Sequence, residues 1–169
     1  MNTLFSIRFM EEKDISSVLR IECMCYIEAH LIESRESLRA KFIASPSTCY
    51  IANQEDKVIG HLISIPWCFE NPPELNMLTC DLPSNPDCLY LHDLAVVPNV
   101  RKAGVGRALV EKFFERCKAL NFKRASLIAV QNSKSYWNQY GFRSVQPTTI
   151  LRSKLLNYGN NVEYMEYFL

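Results

Sequence analysis

The chain has 169 residues, of which 48% are hydrophobic and 22% are charged, and its net charge at pH 7 is +1. This length and apolar content predict one globular domain over residues 1–169 and exclude a largely disordered chain. The balanced charge argues against nucleic acid or a membrane surface as a partner. No apolar run approaches the roughly 18 residues that a membrane span needs. Residues 1–6 lack the charged start and long apolar stretch of a secretory signal, so none is expected.

Seven cysteines are scattered along the chain without a repeating spacing. An odd, unpatterned set favours free thiols in a reducing compartment, so we expect a cytoplasmic protein. Cys80 and Cys88 lie near His92 in the sequence, but no C-x-x-C pair accompanies them. We therefore expect no metal site.

The first 44 residues show one strand pattern followed by two helix patterns. Residues 6–9 alternate polar and apolar side chains, which favours a strand. Acidic residues at 11–14 precede an amphipathic run that predicts a helix through Tyr26. Ser34 is a suitable N-cap for a second helix, which Pro46 ends.

Two β-rich runs, 49–52 and 58–65, flank a polar loop with the composition of a hairpin. Residues 66–87 then break the pattern, because they hold five of the eight prolines in the chain and favour neither a helix nor a central strand. Trp67 and Leu75 within this segment are too apolar for a bare linker. Two interpretations remain open: a flap over a substrate site, or a surface excursion packed by its own side chains.

Residues 90–107 carry the strongest functional pattern in the chain. An apolar, β-branched run ends at Val97 before Pro98, and the glycines Gly104 and Gly106 come directly before an amphipathic run. A strand, a glycine-bearing turn and a helix in this order present the unpaired N–H groups of the first helical turn to an anion. Glycine also lets a phosphate approach the backbone closely. Three cations add positive charge at this turn: Arg101, Lys102 and Arg107. The segment therefore predicts a pyrophosphate site.

Three kinds of phosphate-binding turn contain such glycines. A P-loop requires Lys-Ser or Lys-Thr after its last glycine, which Gly106 lacks, and a dinucleotide fingerprint requires a third glycine where Leu109 stands. The remaining pattern is R-x-x-G-x-G, formed by Arg101, Gly104 and Gly106 behind the strand 92–96. This combination resembles the GNAT superfamily of acyl-CoA-dependent N-acyltransferases, and the similarity covers nearly the whole chain.

The rest of the chain continues the alternation of strands and helices. The patterns predict a helix over about 104–120, a strand over 124–130, a short helix from Asn132 through Tyr140, and strands over 142–145 and 162–169. Their order agrees with the fold that the resemblance implies. That fold is an α/β (α+β) domain with a mixed, mostly antiparallel sheet of six to seven strands and about four helices.

The resemblance implies acetyl-CoA as the cofactor and assigns residues to it. The strand residues should pair with the pantetheine arm, while the turn and the first helical residues should hold the pyrophosphate. A further residue near the short helix should lie close to the pantetheine or the thiol. In chain order, these residues are Leu94, Ala95, Val96, Arg101, Lys102, Ala103, Gly104, Val105, Gly106, Arg107 and Asn132.

His92 is the best candidate for the general base that such a reaction needs. Imidazole titrates in the useful pH range, and the serotonin N-acetyltransferase branch of the superfamily has a histidine at the matching position. Strict alternation would put His92, Leu94 and Val96 on one face of the strand and Asp93 on the other. A buried, structural His92 is the alternative, and Asp93 and Glu22 are the next candidates for the base. His30 and His61 are expected to be structural or exposed.

The acid that protonates the departing thiolate is less well defined by the resemblance. The tyrosine that many GNAT enzymes carry on the short helix matches Trp137, whose indole N–H is not a useful acid. Tyr136 and Tyr140 are the remaining candidates, and each could equally be a packing residue. The thiolate could also leave unprotonated into water.

The resulting hypothesis is an acetyltransferase that acts on a primary amine of a small molecule or peptide through a ternary complex. The alternatives are a non-catalytic acyl-CoA sensor and, as a third class, an interaction protein or an unrelated nucleotide-binding protein. A second copy of the chain could pair with the last strand, which would give a homodimer.

Overall fold

The computed structural model describes residues 5–169 and contains one seven-stranded sheet with five α-helices. The strands are β1 (Ser6–Phe9), β2 (Tyr50–Gln54), β3 (Lys57–Trp67), β4 (Cys88–Val96), β5 (Arg124–Ala129), β6 (Arg143–Ser144) and β7 (Glu163–Phe168). The helices are α1 (Ile15–Cys25), α2 (Arg35–Ala44), α3 (Val105–Ala119), α4 (Lys134–Asn138) and α5 (Thr149–Leu155). The spatial order is β1-β2-β3-β4-β5-β7-β6, and every pair is antiparallel except β4 and β5. The predicted fold class is confirmed.

Helices α1 and α2 cover one face of the sheet. The alternation of β2 sends Ile51 to this face, where it packs with Ile63 of β3 against a stripe of helix residues. That stripe comprises Ile15 and Val18 of α1 with Leu38 and Phe42 of α2. Ser34 caps α2 as predicted, because its hydroxyl accepts a hydrogen bond from the Ser37 N–H at 3.1 Å.

Helix α3 covers the opposite face with a fully buried stripe. Leu109, Val110, Phe113 and Cys117 recur at helical spacing and pack on apolar side chains of β4 and β5, including Leu89, Leu91, Ala125 and Leu127. This packing fixes the start of α3 at the carboxyl end of β4. The segment that joins the two, residues 97–104, is therefore held at the edge of the sheet.

A β-bulge in the middle of β4 changes which way its side chains face. Ile63 lies opposite Asp93 and Ser64 lies opposite Leu91, so His92 is an extra residue without a partner. The side chains of His92 and Asp93 consequently both point to the face of the sheet that α1 and α2 cover. His92 contacts Glu33 there, and Asp93 contacts Tyr26. The expected strict alternation, with His92 and Asp93 on opposite faces, is wrong because of this bulge.

Strands β4 and β5 separate after a short parallel contact. Their register covers only Leu89↔Ala125, Tyr90↔Ser126 and Leu91↔Leu127, although β4 continues to Val96 and β5 to Ala129. Beyond Leu91 the edge of β4 that faces β5 is thus free of strand pairing. The divergence opens a wedge in the sheet, and its wider end lies next to the start of α3.

Two elements differ from the sequence-based expectation. Strand β3 extends through Pro66, which is tolerated because β3 pairs with β2 only as far as Leu62 and has no ladder to interrupt on that edge. Helix α5 was not predicted. It begins behind Thr148, whose hydroxyl accepts from the Leu151 N–H at 3.2 Å, and it buries Leu151 and Leu155 against Tyr90 and Tyr164.

The last strand is an interior strand of the sheet. β7 lies between β5 and β6, and β6 already pairs with it at Met165 and Glu166, so β7 is not the free edge strand that was expected. A homodimer stays a prediction. Of the helices in residues 5–169, none combines the length and the apolar character needed to cross a bilayer. The expected lack of a secretory signal concerns residues 1–6, of which 1–4 lie outside the described residues.

Candidate active site

The turn before α3 presents unpaired backbone donors to solvent. Ala108 donates to the Gly104 carbonyl at 3.0 Å, but the N–H groups of residues 104–107 find no backbone acceptor within residues 5–169. No side chain caps the helix. Lys102 and Gly104 both have a positive φ, 72° and 87°, which curls the chain around this point. The turn can therefore bind an anion without displacing any protein hydrogen bond.

Positive side chains surround the same turn. Arg101, Lys102 and Arg107 are exposed here, and the Arg101 guanidinium donates to the Val96 carbonyl at 3.2 Å. A Cβ on Gly104 would meet open space, whereas a Cβ on Gly106 would come within 2.8 Å of the Tyr136 hydroxyl. Gly106 thus leaves room for the Tyr136 hydroxyl to pack closely on the turn. Free amides, added positive charge and open space together fit a diphosphate.

A cavity of about 770 Å³ extends from this turn into the wedge between β4 and β5. Its walls include Leu91 through Val96 of β4 and, across the wedge, Leu127, Ile128 and Val130. At the end far from the turn, the lining changes to Leu31, Glu33, Leu75 and Tyr158. The cavity is thus a channel along the unpaired edge of β4, with cations at one end and a mostly apolar wall at the other.

His92 lies in this channel and is held by a buried charge network. Its Nε2 hydrogen-bonds to the Glu33 carboxylate, and only 3% of the His92 side chain is exposed. Lys41 donates to the same carboxylate at 2.7 Å and Ser37 donates to it at 2.6 Å. The Asn76 N–H adds a fourth donor at 2.8 Å. Burial acts to raise the pKa of Glu33, but His92 and Lys41, with the hydrogen bonds that they make to this carboxylate, outweigh it, and the pKa lies well below its ordinary value.

Removing Lys41 should destabilise the fold strongly. Its side chain is fully buried, and in a Lys41→Met variant Glu33 would keep a buried charge with one counter-ion fewer. We expect a loss of about 3–5 kcal/mol in the free energy of unfolding, measured by urea denaturation. The matched control is Lys41→Met combined with Glu33→Gln, which removes both charges and should recover part of the loss. A double variant no more stable than the single one would contradict the charge argument.

A second buried network lies beside the first and uses Asp93, the residue after the bulge. Asp93 hydrogen-bonds to His61 through one carboxylate oxygen and to the Tyr26 hydroxyl through the other. Glu22 lies against Asp93, and its carboxylate also accepts from the Glu33 N–H at 3.1 Å. Glu22, His61 and Asp93 each have a side-chain atom of a kind that can bind a metal ion, and these atoms lie within 4.8 Å of one another. Direct hydrogen bonds between the side chains already occupy these atoms.

The pKa values of the two carboxyl groups in this network are shifted in opposite directions from their ordinary values. Burial and the neighbouring Asp93 charge raise the pKa of Glu22 to about 10. Burial acts to raise the pKa of Asp93 as well, but His61 and the hydrogen bonds from His61 and Tyr26 hold it at about 2. At neutral pH the pair therefore carries one proton, which resides on Glu22.

This proton makes stability depend on pH. The folded pKa of Glu22, about 10, lies above its ordinary value of 4.5, so the folded state binds a proton that the unfolded chain releases. Its contribution is fully present below pH 4.5 and is lost as pH rises towards 10. We expect stability to fall by up to about 1.4 kcal/mol per pH unit from this group. In Glu22→Gln, denaturation between pH 6 and pH 9 should show a flatter dependence than in wild type, and equal slopes would refute the assignment.

Some of the other predicted site residues line the channel, and others lie outside it. The Tyr136 hydroxyl lies at the turn, next to Gly106 and 3.3 Å from the Tyr140 hydroxyl, and not beside His92. Asn132 lies outside the channel, in a shallow depression with Lys134 and Glu163, while its neighbour Gln131 lines the channel. Trp137 is buried and forms part of the channel wall.

Gln131 connects the two sides of the channel. Its amide oxygen accepts from the Ile27 N–H at 2.8 Å, and its amide nitrogen donates to the Cys25 carbonyl at 3.4 Å. The loop after β5 is thereby joined to the end of α1 across the wedge. No local pattern could predict this role of Gln131, because both of its partners are more than 100 residues away in the chain.

The 66–87 segment reaches the apolar end of the channel. Leu75 lines it, and Asn76 contacts both Glu33 and the Ser34 N–H, the latter at 2.8 Å. The Pro73 carbonyl accepts from the Tyr158 hydroxyl at 2.5 Å. The segment therefore packs on the site itself, which supports the flap interpretation over an independent surface excursion.

Comparison with known proteins gives the family. A model of the acetyltransferase (GNAT) family matches residues 15–142 of the chain. The chain belongs to the GNAT family. No curated protein sequence matches it. The predicted R-x-x-G-x-G turn and the strand before it fall within the matched region, so the family identified from these residues is confirmed.

Solved GNAT structures share the fold over nearly the full length. Ard1 from Thermoplasma volcanium is 19% identical with a TM-score of 0.73, covering 98% of this chain and 97% of that protein. The PaiA N-acetyltransferase from Thermoplasma acidophilum, solved in complex with coenzyme A, is 13% identical with a TM-score of 0.71, covering 98% and 99%. The ribosomal-protein-S18-alanine N-acetyltransferase from Escherichia coli is 17% identical with a TM-score of 0.65, covering 98% and 94%.

Proposed function

We propose that this GNAT protein is an N-acetyltransferase that moves an acetyl group from acetyl-CoA directly to a primary amine of a small molecule or peptide. The observation that carries the proposal is the position of His92 in the channel that starts at the diphosphate-binding turn. His92 lines that channel at the β4 bulge, with one ring nitrogen fixed by Glu33.

The turn and the free edge of β4 would hold acetyl-CoA. The free N–H groups of residues 104–107, with Arg101 and Lys102, would bind the pyrophosphate. The edge of β4 at Leu94, Ala95 and Val96, which no strand pairs, would hydrogen-bond to the pantetheine arm like a neighbouring strand. The Cys25 thiol and the Arg101 guanidinium, which donate to the Val96 carbonyl in the free protein, would release it to the cofactor. The bound cofactor supplies the activated acetyl group.

His92 would act as the general base. When its Nε2–H donates to the Glu33 carboxylate, Nδ1 carries the free lone pair, and this atom has no hydrogen-bond partner among the described residues. An unpaired buried acceptor costs about 1–3 kcal/mol, which an N–H from the amine would recover. The negative charge of Glu33 would stabilise the imidazolium that forms, while Lys41 would keep Glu33 ionised.

The test is release of free CoA from acetyl-CoA in the presence of a library of primary amines, amino acids and peptides. We expect acceptor-dependent release with a matching acetylated product by mass spectrometry. Calorimetry with CoA accompanies the assay. Tight binding of CoA without release by any acceptor would favour the alternative, a non-catalytic acyl-CoA sensor. Tighter binding of ATP or NAD than of CoA would reject both. The seven free cysteines support a cytoplasmic location for this activity.

A further inference from the structure

Tyr26 occupies a fixed position over the free edge of β4. It follows the last residue of α1, lines the channel and donates its hydroxyl proton to Asp93. The residues on both sides of it, Cys25 and Ile27, are hydrogen-bonded through their backbones to Gln131. The Cys25 thiol also donates to the Val96 carbonyl at 3.3 Å. The end of α1 is therefore tied down along β4 between Val96 and Asp93.

This position matches the reacting end of the cofactor, not its phosphates. The turn lies next to Val96 of β4. A Cβ added to Gly106 would be 3.8 Å from the Val96 side chain. Asp93 lies three residues further along the strand, roughly 10 Å away at about 3.3 Å per residue. An extended pantetheine arm that starts at the turn spans this distance. Its sulfur would then lie near Tyr26 and His92, while the Tyr136 hydroxyl stays at the turn.

The groups around Tyr26 can resupply a proton. Its hydroxyl faces Asp93 of β4, with Glu22 and Cys25 on its own helix and His61 of β3 behind Asp93. Glu22 and Asp93 share one proton at neutral pH. Burial and the Asp93 charge keep the pKa of Tyr26 well above its ordinary value, so the phenol is protonated before the reaction.

We propose that Tyr26 is the acid of this site and donates its hydroxyl proton to the sulfur that leaves the acetyl group. The amine nitrogen bonds to the acetyl carbonyl carbon, the C–S bond breaks and its electron pair passes to sulfur. The Tyr26 hydroxyl turns from Asp93 to the sulfur, which takes its proton. The phenolate recovers a proton from the Glu22–Asp93 pair through Asp93. His92 meanwhile holds the proton taken from the amine, and exchange with water returns both groups to their starting states.

This assignment rests on the proposed acetyltransferase function and answers a departure from the family pattern. The position where many GNAT enzymes carry a tyrosine holds the buried Trp137, and Tyr136 and Tyr140 contact each other next to the turn. The tyrosine that directly follows α1 would therefore replace one from the short helix. The acid and the base would come from two adjacent networks, joined where the Glu33 N–H donates to Glu22.

The experiment measures the thiol pKa of bound CoA, which does not require a known acceptor. Thiolate absorbance near 240 nm is recorded against pH for the CoA complex, and the desulfo-CoA complex is subtracted to remove the seven protein cysteines. Wild type and Tyr26→Phe are compared, with Tyr140→Phe as the matched control. A tyrosine that donates to sulfur stabilises the thiolate, so we expect the bound thiol pKa to rise by about one unit in Tyr26→Phe and to stay unchanged in Tyr140→Phe.

The outcomes separate this inference from the proposed function. An unchanged thiol pKa in Tyr26→Phe, with CoA still bound, overturns the role of Tyr26 alone. A rise in Tyr140→Phe in place of Tyr26→Phe assigns the acid to the short helix and also overturns it. Failure of the wild-type protein to bind CoA by calorimetry rejects the cofactor site itself. Equal CoA affinity in wild type and Tyr26→Phe shows that the variant is folded.

Discussion

Gly104→Glu should abolish CoA binding while the protein remains folded. The new carboxylate would stand over the free amides of residues 104–107, in the open space where a diphosphate would bind. Repulsion from the phosphates and occupation of the amides should together weaken CoA binding by at least about 100-fold, or about 2.7 kcal/mol. Isothermal calorimetry with CoA measures this change directly.

The matched control is Gly104→Gln. Gly104 has φ of 87°, so both variants place an L side chain in the left-handed region at a similar cost of about 1–2 kcal/mol. They differ only in charge. We expect the glutamine variant to bind CoA markedly better than the glutamate variant, with both unfolding at similar urea concentrations. Equal affinities would show that shape alone, without charge, explains the requirement for glycine.

His92→Ala should lower kcat by about 10² to 10⁴ without changing CoA affinity. This range is what a positioned general base contributes. Because His92 lies at the bulge and not at the turn, the diphosphate contacts should be unaffected. The kcat of wild type and variant is measured with the acceptor found by the amine screen, across pH 6 to 9. Because the rate of the variant no longer depends on the protonation of His92, its kcat should change less with pH than the kcat of wild type.

Glu33→Gln is the informative companion to that variant. It preserves a hydrogen-bond acceptor for His92 but removes the charge that would stabilise the imidazolium. Because it also leaves the buried Lys41 without this counter-ion, its kcat is measured at a temperature where urea denaturation shows the variant to be folded. We expect a kcat between those of wild type and His92→Ala, with KM for acetyl-CoA unchanged. His30→Ala, at a partly exposed histidine whose ring contacts the Tyr158 carbonyl, is the control for histidine loss elsewhere. A His92→Ala variant with wild-type kcat would remove His92 from the mechanism.

The turn and its helix could be predicted because their signal is local. Glycines, cations and the amphipathic run of α3 all lie within residues 101–117, and local backbone chemistry decides what they do. The same holds for Ser34, which caps α2 as its sequence neighbours suggest. Elements whose geometry depends on a few adjacent residues were therefore identified, together with the order of strands and helices along the chain apart from α5.

The partners of His92 and Asp93 could not be predicted in the same way. The bulge arises from the register of β4 against β3, which strand periodicity alone does not reveal. Glu33 and Tyr26 meet β4 from more than 50 residues away. One signal was available: Lys41 falls between Leu38 and Phe42 on the apolar stripe of α2, where a lysine needs a buried counter-ion. Thr148, followed by Leu151 and Leu155, likewise contained a helix signal for α5.

The paired charges of Glu33 and Lys41 bear on which acceptors the protein can select. Glu33 lines the apolar end of the channel, where the fully buried Lys41 neutralises its charge, and the other residues lining this end are Leu31, Leu75, Tyr90 and Tyr158. An acceptor amine that carries a carboxylate or phosphate would lose its hydration on entering the channel and would find no counter-ion there. We therefore expect the protein to select amines whose remaining part is uncharged and either apolar or aromatic. This selectivity would come from the cost of burying a charged competitor more than from attraction to the preferred amine.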